Sequence, residues 1–262
     1  MKAIILAAGK GTRLDGAAVK PKCLIKIGGL TLLHRQIVTL RNLDINEIIV
    51  VVGFAGDSIR EECDSGVTFV ENVDFAETSS LYSLWLARDY LSEGFVVLNS
   101  DVLFHPQMLT DLIKSECEDA LLISNTSDES DELGDEEMKV RVEGGLVSDI
   151  SKDMNPLEAD GENVGIVKFG PPGAKILVSY MDELINQGAV KDWAPRAFRQ
   201  FASRHPLHAL STRGLPWIEI DFPEDYQRAI EDVYPRIESL PVTWKSSFKP
   251  SRHHSVVSLD EL

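Results

Sequence analysis

The N-terminal stretch Lys2-Ala-Ile-Ile-Leu-Ala-Ala-Gly-Lys-Gly-Thr-Arg-Leu14 decides the fold of this chain. An apolar strand over 3–6 leads directly into a turn of alanine and glycine that also contains two cations, Lys10 and Arg13. Small residues let backbone N–H groups approach an anion, and nearby cations neutralise it. The stretch therefore predicts a phosphate-binding loop at the end of the first strand.

Two common phosphate loops do not fit this sequence. A Walker A loop ends in Gly-Lys-Ser/Thr, whereas residues 9–13 read Gly-Lys-Gly-Thr-Arg. A Rossmann fingerprint needs a third glycine, and Leu14 occupies that place. What remains is a glycine-rich cationic loop followed by a Pro-Lys-x-Leu segment, Pro21 to Leu24.

Composition narrows the class of protein. The chain has 262 residues with 44% hydrophobic and 26% charged residues, which is typical of a globular protein with one large or two small domains. No apolar run approaches the roughly 20 residues of a membrane span, and no signal-peptide core is evident, so we expect a cytoplasmic protein without a membrane partner. The net charge of −16 argues against nucleic acid as a partner. Three widely spaced cysteines predict free thiols.

Apolar runs and helix-period segments alternate in the first half. Strands are predicted over 3–6, 47–52, 67–70, 95–99 and 120–124, and helices over 32–43, 57–63, 80–91 and 106–115. This alternation predicts an α/β fold with a single Rossmann-like, doubly wound and mostly parallel sheet. Ligands of such sheets bind at the carboxyl ends of strands.

The pattern changes after an acidic run. Gly144-Gly145 predicts a hairpin between strands 138–143 and 146–150, followed by a strand over 164–169. Helices are then predicted over 174–186, 194–203 and 224–234, with strands over 207–210 and 217–220. We interpret residues 1–240 as one domain with a nucleotide-binding half (1–125) and an α+β acceptor-binding half (138–240), separated by an acidic loop (126–137) and followed by a polar tail (241–262).

Two carboxylates stand at predicted strand ends. Asp101 follows the strand over 95–99, and Asp221 precedes a helix. Each has a purely structural alternative, because aspartates cap turns, and Pro223 with Glu224 would suit a helix capped by Asp221.

Residues Leu6 to Leu14 match Leu-Ala-Ala-Gly-x-Gly-Thr-Arg-Leu without a gap, and Pro-Lys-x-Leu follows. The chain therefore resembles the nucleotidyltransferase superfamily of sugar-phosphate pyrophosphorylases and alcohol-phosphate cytidylyltransferases, which has a GT-A-like fold. The resemblance implies that Asp101, in an Asn-x-Asp motif, and Asp221, in a Glu-x-Asp motif, hold Mg²⁺. It also implies that Lys22 contacts the α-phosphate and the acceptor, while Arg13, Lys10 and the loop N–H groups hold the leaving pyrophosphate.

The resemblance extends to the binding residues for the two substrates. Residues 77–80 lie where the family places a loop that reads the base and ribose, and this chain has serines where bacterial choline-phosphate cytidylyltransferases often have asparagines. The nucleotide-binding residues expected on this basis are Leu6, Ala7, Ala8, Gly9, Lys10, Gly11, Thr12, Thr78, Ser79 and Ser80. Segments 149–152 and 161–165 resemble the acceptor site of that branch and supply Lys152 and Glu162.

Aromatic residues offer a second element of acceptor binding. A cage for a quaternary ammonium would draw on Tyr82, Trp85, Trp193 and Trp217, with Asp192 as a counter-charge. The alternative interpretation is that these aromatic side chains pack in the core. The expected acceptor-binding residues are accordingly Lys152, Glu162, Asp192 and Trp193.

The chemistry expected of this site needs few side chains. A phosphate or phosphonate oxygen is already ionised near neutral pH, so it needs positioning against charge repulsion and no general base. The sequence predicts a Mg²⁺-dependent transfer of a nucleoside monophosphate, first CMP from CTP, to a small alcohol phosphate or phosphonate, with release of pyrophosphate. Phosphocholine and aminoalkylphosphonates such as aminoethylphosphonate are the first acceptors expected, and inositol phosphate is the next. Alternatives are a sugar-1-phosphate nucleotidyltransferase that uses UTP, dTTP or GTP, and a non-catalytic nucleotide-binding regulator. A homodimer is left open.

Overall fold

A computed structural model describes residues 1–11, 20–125 and 136–242 of the chain. Thirteen strands are found there: β1 (Lys2–Ala7), β2 (Lys26–Ile27), β3 (Leu30–Thr31), β4 (Ile48–Val52), β5 (Val67–Glu71), β6 (Phe95–Asn99), β7 (Val102–Phe104), β8 (Ala120–Asn125), β9 (Lys139–Glu143), β10 (Leu146–Ser151), β11 (Gly161–Phe169), β12 (His208–Ser211) and β13 (Trp217–Glu219).

Eight α-helices of the described residues surround the strands: α1 (Leu32–Arg41), α2 (Gly56–Glu62), α3 (Ser80–Leu86), α4 (Pro106–Lys114), α5 (Pro171–Asn186), α6 (Pro195–Ala202), α7 (Pro223–Arg228) and α8 (Tyr234–Ser239). The helix predicted over 80–91 is shorter, because α3 ends at Leu86 and a 3-10 turn follows over Arg88–Tyr90. A π-helical turn, Ala229–Val233, joins α7 to α8. Pro235 lacks an N–H group for the regular helical ladder there.

Nine strands form one sheet in the order β5-β4-β1-β6-β11-β8-β12-β10-β9. The predicted α/β fold with a Rossmann-like sheet is confirmed, and its parallel part consists of β5, β4, β1 and β6. Strand β1 lies in its middle with Ile4 and Ile5 fully buried, as expected for a strand covered on both faces. Leu6 pairs with Asn99, so the glycine loop and Asp101 leave the sheet side by side.

The strands beyond β6 are mainly antiparallel. Strand β11 runs antiparallel to β6 and β8, β10 runs antiparallel to β9 and β12, and β12 is parallel to β8. The predicted hairpin is confirmed, with both Gly144 and Gly145 at positive φ in the turn between β9 and β10. The strands of this half are therefore joined by hairpins and crossing connections, whereas the parallel half has its strand ends side by side at one edge.

A separate pair of short strands completes the region near Asp101. Strand β13 runs antiparallel to β7, with Glu219 opposite Val102, and the N–H of Ile220 donates to the carbonyl of Asp101 at 3.0 Å. Strand β7 was not predicted, because three apolar residues carry no periodic signal. The pairing brings the ends of two segments that are about half the chain apart in sequence to one place.

Apolar side chains fill both faces of the large sheet, and a third cluster packs α7 and α8 against β13. None of the helices in the described ranges is both long and apolar enough to cross a bilayer. The acidic loop and the tail, predicted over 126–137 and 241–262, lie largely outside the described residues, which omit 126–135 and 243–262.

Candidate functional site

The glycine-rich turn lines a cleft of about 400 Å³ at the carboxyl ends of β1 and β6, from Leu6 to Gly11. Gly9 borders open space, since a Cβ there would meet nothing within 4 Å. Gly11 has a φ of +60°, and a Cβ there would lie 2.5 Å from Cγ of Lys22. Only glycine therefore lets the loop and Lys22 approach this closely. Thr12 and Arg13, both expected in this site, lie outside the described residues.

Lys22 begins a 3-10 turn, Lys22–Leu24, at the edge of the cleft. Its ammonium group forms an ion pair with Asp221 and lies 3.9 Å from Oδ2 of Asp101. The next residue, Cys23, is buried in the core and anchors the turn there. Burial raises the pKa of the Cys23 thiol, so this cysteine is an apolar anchor and not a nucleophile.

Three carboxylates meet around Lys22. Oxygen atoms of Asp101, Glu219 and Asp221 all lie within 4.8 Å of one another. Burial, followed by the negative charges of Asp101 and Asp221, raises the pKa of Glu219 well above its usual range. Asp221 is not the N-cap of α7, as its structural alternative required, because Phe222 occupies that position. The carboxylate of Asp225 accepts the N–H groups of Asp221 and Phe222.

Glu219 was missing from the predicted site residues although its signal was present. Residues i and i+2 of a strand share a face, so Glu219 and Asp221 in Trp217-Ile-Glu-Ile-Asp had to point the same way. The set of clustered carboxylate oxygens fits a hard divalent cation such as Mg²⁺, which prefers oxygen ligands. An ammonium group already bound between Asp101 and Asp221 indicates that a cation is favourable here.

A buried amide organises the part of the cleft expected to bind the base. Nδ2 of Asn72 donates to Oγ1 of Thr78 at 3.0 Å and to Oγ of Ser83 at 3.1 Å, and Asn72 is only 1% exposed. The expected residues Thr78, Ser79 and Ser80 all line the cleft before and at the start of α3. Asn72 is not among the residues predicted for the site, although its place directly after β5 was a usable signal.

The expected acceptor residues are divided between two places. Lys152 and Trp193 line the main cleft, with Nζ of Lys152 4.8 Å from the centre of the Trp193 ring and 3.6 Å from Glu136. Glu162 lines a neighbouring cleft of about 170 Å³ that shares Glu219 and Asp221 with the main cleft. The carboxylate of Asp192 forms an ion pair with Arg196 and is not among the lining residues of either cleft.

The four aromatic residues considered for a cage do not converge. Nε1 of Trp85 donates to Asp182 on α5 at 2.7 Å, and the ring of Tyr82 stacks on Trp85 at 5.5 Å. Both are thus packing residues outside the two clefts. Trp217 lines the neighbouring cleft, and Trp193, which is 50% exposed, lines the main one. Lys152 lies over the Trp193 ring, where a quaternary ammonium of a cage would sit.

A sequence profile of the MobA-like NTP transferase domain matches residues 3–225. The chain belongs to this family. The resemblance to the nucleotidyltransferase superfamily is thereby confirmed for most of the chain.

Individual relatives agree with this assignment. The nucleotidyltransferase is 30% identical over 235 residues to the bifunctional IPC transferase and DIPP synthase of Rubrobacter xylanophilus, a match that covers 88% of this chain and 51% of that protein. The chain thus spans about half the length of that relative. It is 29% identical over 238 residues to the choline-phosphate cytidylyltransferase of Streptococcus pneumoniae, covering 89% of this chain and 98% of that one.

Among solved structures, the inositol-1-phosphate CTP transferase of T. maritima superimposes with a TM-score of 0.75. The match covers 91% of this chain and 96% of that chain at 22% identity, so it supports the fold alone.

Proposed function

We propose that this nucleotidyltransferase transfers CMP from CTP to a small phosphorylated or phosphonylated alcohol and releases pyrophosphate. The observation that carries the proposal is Lys22, whose ammonium pairs with Asp221 beside Asp101 and whose aliphatic stem packs over Gly11 of the glycine loop. A cation between a phosphate loop and a carboxylate cluster suits a reaction in which two anionic substrates must meet. The similarity to a choline-phosphate cytidylyltransferase over nearly the whole length of both chains supports CTP as the donor.

Each group of residues at the site has its own role in the transfer. Backbone N–H groups from Ala8 to Gly11 bind the β- and γ-phosphates, and Lys22 exchanges its carboxylate partners for the α-phosphate and the acceptor oxygen. Asp101, Asp221 and Glu219 would hold Mg²⁺, which neutralises charge on the triphosphate. The ionised acceptor oxygen attacks the α-phosphorus, the bond from that phosphorus to the bridging oxygen breaks, and pyrophosphate leaves with the electron pair. No side chain has to take a proton.

Charge in the neighbouring cleft favours an acceptor that also has a positive group. Its described lining includes five carboxylates besides Asp221 and one arginine: Glu136, Glu137, Glu162, Glu219, Asp225 and Arg228. We therefore place phosphocholine and aminoalkylphosphonates ahead of inositol phosphate, with Lys152 at the side of the acceptor's phosphate.

An assay of pyrophosphate release tests the proposal. CTP, UTP, dTTP and GTP are each combined with phosphocholine, aminoethylphosphonate, inositol phosphate and a hexose-1-phosphate, with Mg²⁺ present. We expect turnover with CTP and a cationic acceptor. Turnover confined to the hexose-1-phosphate would reject the proposal in favour of a sugar nucleotidyltransferase, and nucleotide binding without turnover would favour a regulator.

A single variant then tests the acceptor side. Lys152→Met should raise the acceptor KM about 10-fold and leave the KM for CTP within about twofold, because one charged contact to a phosphate is lost. Lys175→Met, on α5 and outside both clefts, is the matched control. An unchanged acceptor KM in Lys152→Met would remove that lysine from the acceptor site.

A further inference from the structure

A buried glutamine on α1 binds the turn that carries Asp101. Gln36 is only 1% exposed, and its Nε2 donates to the carbonyl of Asn99 at 2.9 Å and to the carbonyl of Val102 at 3.1 Å. These two carbonyls are the backbone groups on either side of Ser100 and Asp101. Both hydrogens of one amide nitrogen therefore close the ends of a four-residue turn.

The same turn is held by backbone groups of two other elements. The N–H of Ser100 donates to the carbonyl of Leu6 at the end of β1 at 3.3 Å, and the N–H of Ile220 donates to the carbonyl of Asp101 at 3.0 Å. Gln36 adds hydrogen bonds from a third element, α1. The Cα of Asp101 is thus fixed relative to the glycine loop, to the Glu219–Asp221 segment and to α1 at once.

Helix α1 also supports the turn of Lys22. The N–H of Leu32, the first residue of α1, donates to the carbonyl of Ile25 at 3.1 Å, and Cys23 packs in one core cluster with Leu33 and Ile37. The backbones behind Lys22 and Asp101 are therefore anchored to one rigid helix. Their charged groups lie 3.9 Å apart.

We propose that Gln36 is a positioning residue for the reaction: through the carbonyls of Asn99 and Val102 it places the Asp101 carboxylate for the divalent cation shared with Asp221. This inference rests on the proposed function only for the identity of the reaction. The metal-binding consequence belongs to the carboxylate cluster and can be measured without turnover.

Simple filling of the core does not account for a glutamine at this position. Its Oε1 is buried and has no hydrogen-bond partner among the described residues, which is unfavourable for folding. A methionine would fill a similar volume without burying that oxygen, but it would remove the amide donor that bonds to both carbonyls of the turn. Thr39 gives the contrast, because it is buried on the same helix and its hydroxyl donates only to Arg35 of that helix.

The test compares Gln36→Met and Gln36→Glu with Thr39→Val as the matched control. Gln36→Met removes the donors, and Gln36→Glu keeps the shape while an oxygen replaces the donor nitrogen. Mn²⁺ binding is titrated by electron paramagnetic resonance with CTP present, and kcat, the KM for CTP and the melting temperature are measured in parallel.

Both Gln36 variants should bind Mn²⁺ about 10-fold more weakly and lose about 10-fold in kcat, with the KM for CTP at saturating metal within about twofold. Thr39→Val should leave Mn²⁺ binding and kcat within about twofold of the wild type, even if it lowers the melting temperature as much as the Gln36 variants do. A folded Gln36 variant that binds Mn²⁺ like the wild type overturns the inference, and if Gln36→Met does not fold, Gln36→Glu decides. If the wild type binds Mn²⁺ but makes no cytidylyl product, the proposed function fails while the Mn²⁺ comparison still decides the role of Gln36.

Discussion

Two groups of charged side chains differ in their ratio of cations to carboxyl groups. The surface pair has one of each, Arg41 and Asp64. The cleft cluster has one cation, Lys22, and three carboxyl groups, those of Asp101, Glu219 and Asp221. On the surface, one guanidinium donates two parallel hydrogen bonds of 2.5 and 2.6 Å to one carboxylate. In the cleft, one ammonium faces three carboxylates of the described residues, and it pairs with Asp221 and Asp101.

The pKa shifts run in opposite directions at these two places. Hydrogen bonding by Arg41 lowers the pKa of Asp64 to about 2, whereas burial together with Asp101 and Asp221 raises the pKa of Glu219. A lowered carboxyl pKa indicates a pair that is complete in the free protein. A raised carboxyl pKa in a cleft indicates a site that a cationic ligand would stabilise. Carboxyl groups with raised pKa values are common in active sites.

The largest effect should come from removing one carboxylate of the cleft cluster. Asp221→Asn keeps the shape of the side chain but weakens both metal binding and the contact with Lys22. We expect kcat to fall by at least about 100-fold, with the protein still folded. Pyrophosphate release and circular dichroism measure the two quantities.

Asp64→Asn is the control for that experiment, because it makes the same chemical change in the complete pair. It should leave kcat within about twofold. Equal losses of activity in the two variants would contradict the distinction between the cleft cluster and the surface pair.

A smaller effect should follow when Lys22 is displaced while every charge is retained. Gly11→Ala puts a methyl group 2.5 Å from Cγ of Lys22 at a φ of +60°, so the lysine and the loop must move apart. We expect kcat to fall by about 10-fold or more. Assays at saturating CTP and acceptor measure this loss.

Gly145→Ala separates backbone strain from the displacement of Lys22. Gly145 also has a positive φ, +83°, but a Cβ there would meet nothing within 4 Å. This variant should lose about 1 kcal/mol of stability and retain its activity. Full activity in Gly11→Ala would show that close packing of Lys22 on the loop is unimportant.

Much of the fold was predictable because its signals are local. The parallel strands β1, β4 and β6 are uninterrupted apolar runs, and Gly144-Gly145 marks the hairpin of β9 and β10. The predictions failed where pairing across the chain decides the structure. Strand β7 has three residues and exists because β13 pairs with it, and β11 begins at Gly161, where it pairs with β8 and β9.

The candidate site divides in the same way. The motif residues Lys22, Asp101 and Asp221 could be selected from sequence, since strand ends and short motifs identify them, and the structure brings them together. Gln36 could not be selected, because a buried amide has no periodic signal and its partners lie 63 to 66 residues away. Asn72 had a positional signal directly after β5, but its hydrogen bonds to Thr78 and Ser83 had none. The acceptor side depends on side-chain directions, which a sequence does not contain. The cage of Tyr82, Trp85, Trp193 and Trp217 was therefore considered from residue type alone, beside the alternative that these side chains pack in the core.

The smallest effect should come from the surface pair itself, and it is an effect on stability. The folded-state pKa of Asp64, about 2, lies below its ordinary value of 3.8, so the stabilisation by the ionised carboxylate is present above about pH 4 and is lost as the pH falls through 2. Since Asp64 is largely exposed, Asp64→Asn should lower the free energy of unfolding at pH 7 by only about 0.2–1 kcal/mol. Urea unfolding of both proteins between pH 7 and 3 should show this difference shrinking toward acid, and 1 M salt should shrink it at pH 7. A difference that grows toward acid would mean that Asp64 is favoured in its protonated form, and the surface pair would then resemble the cleft cluster in kind.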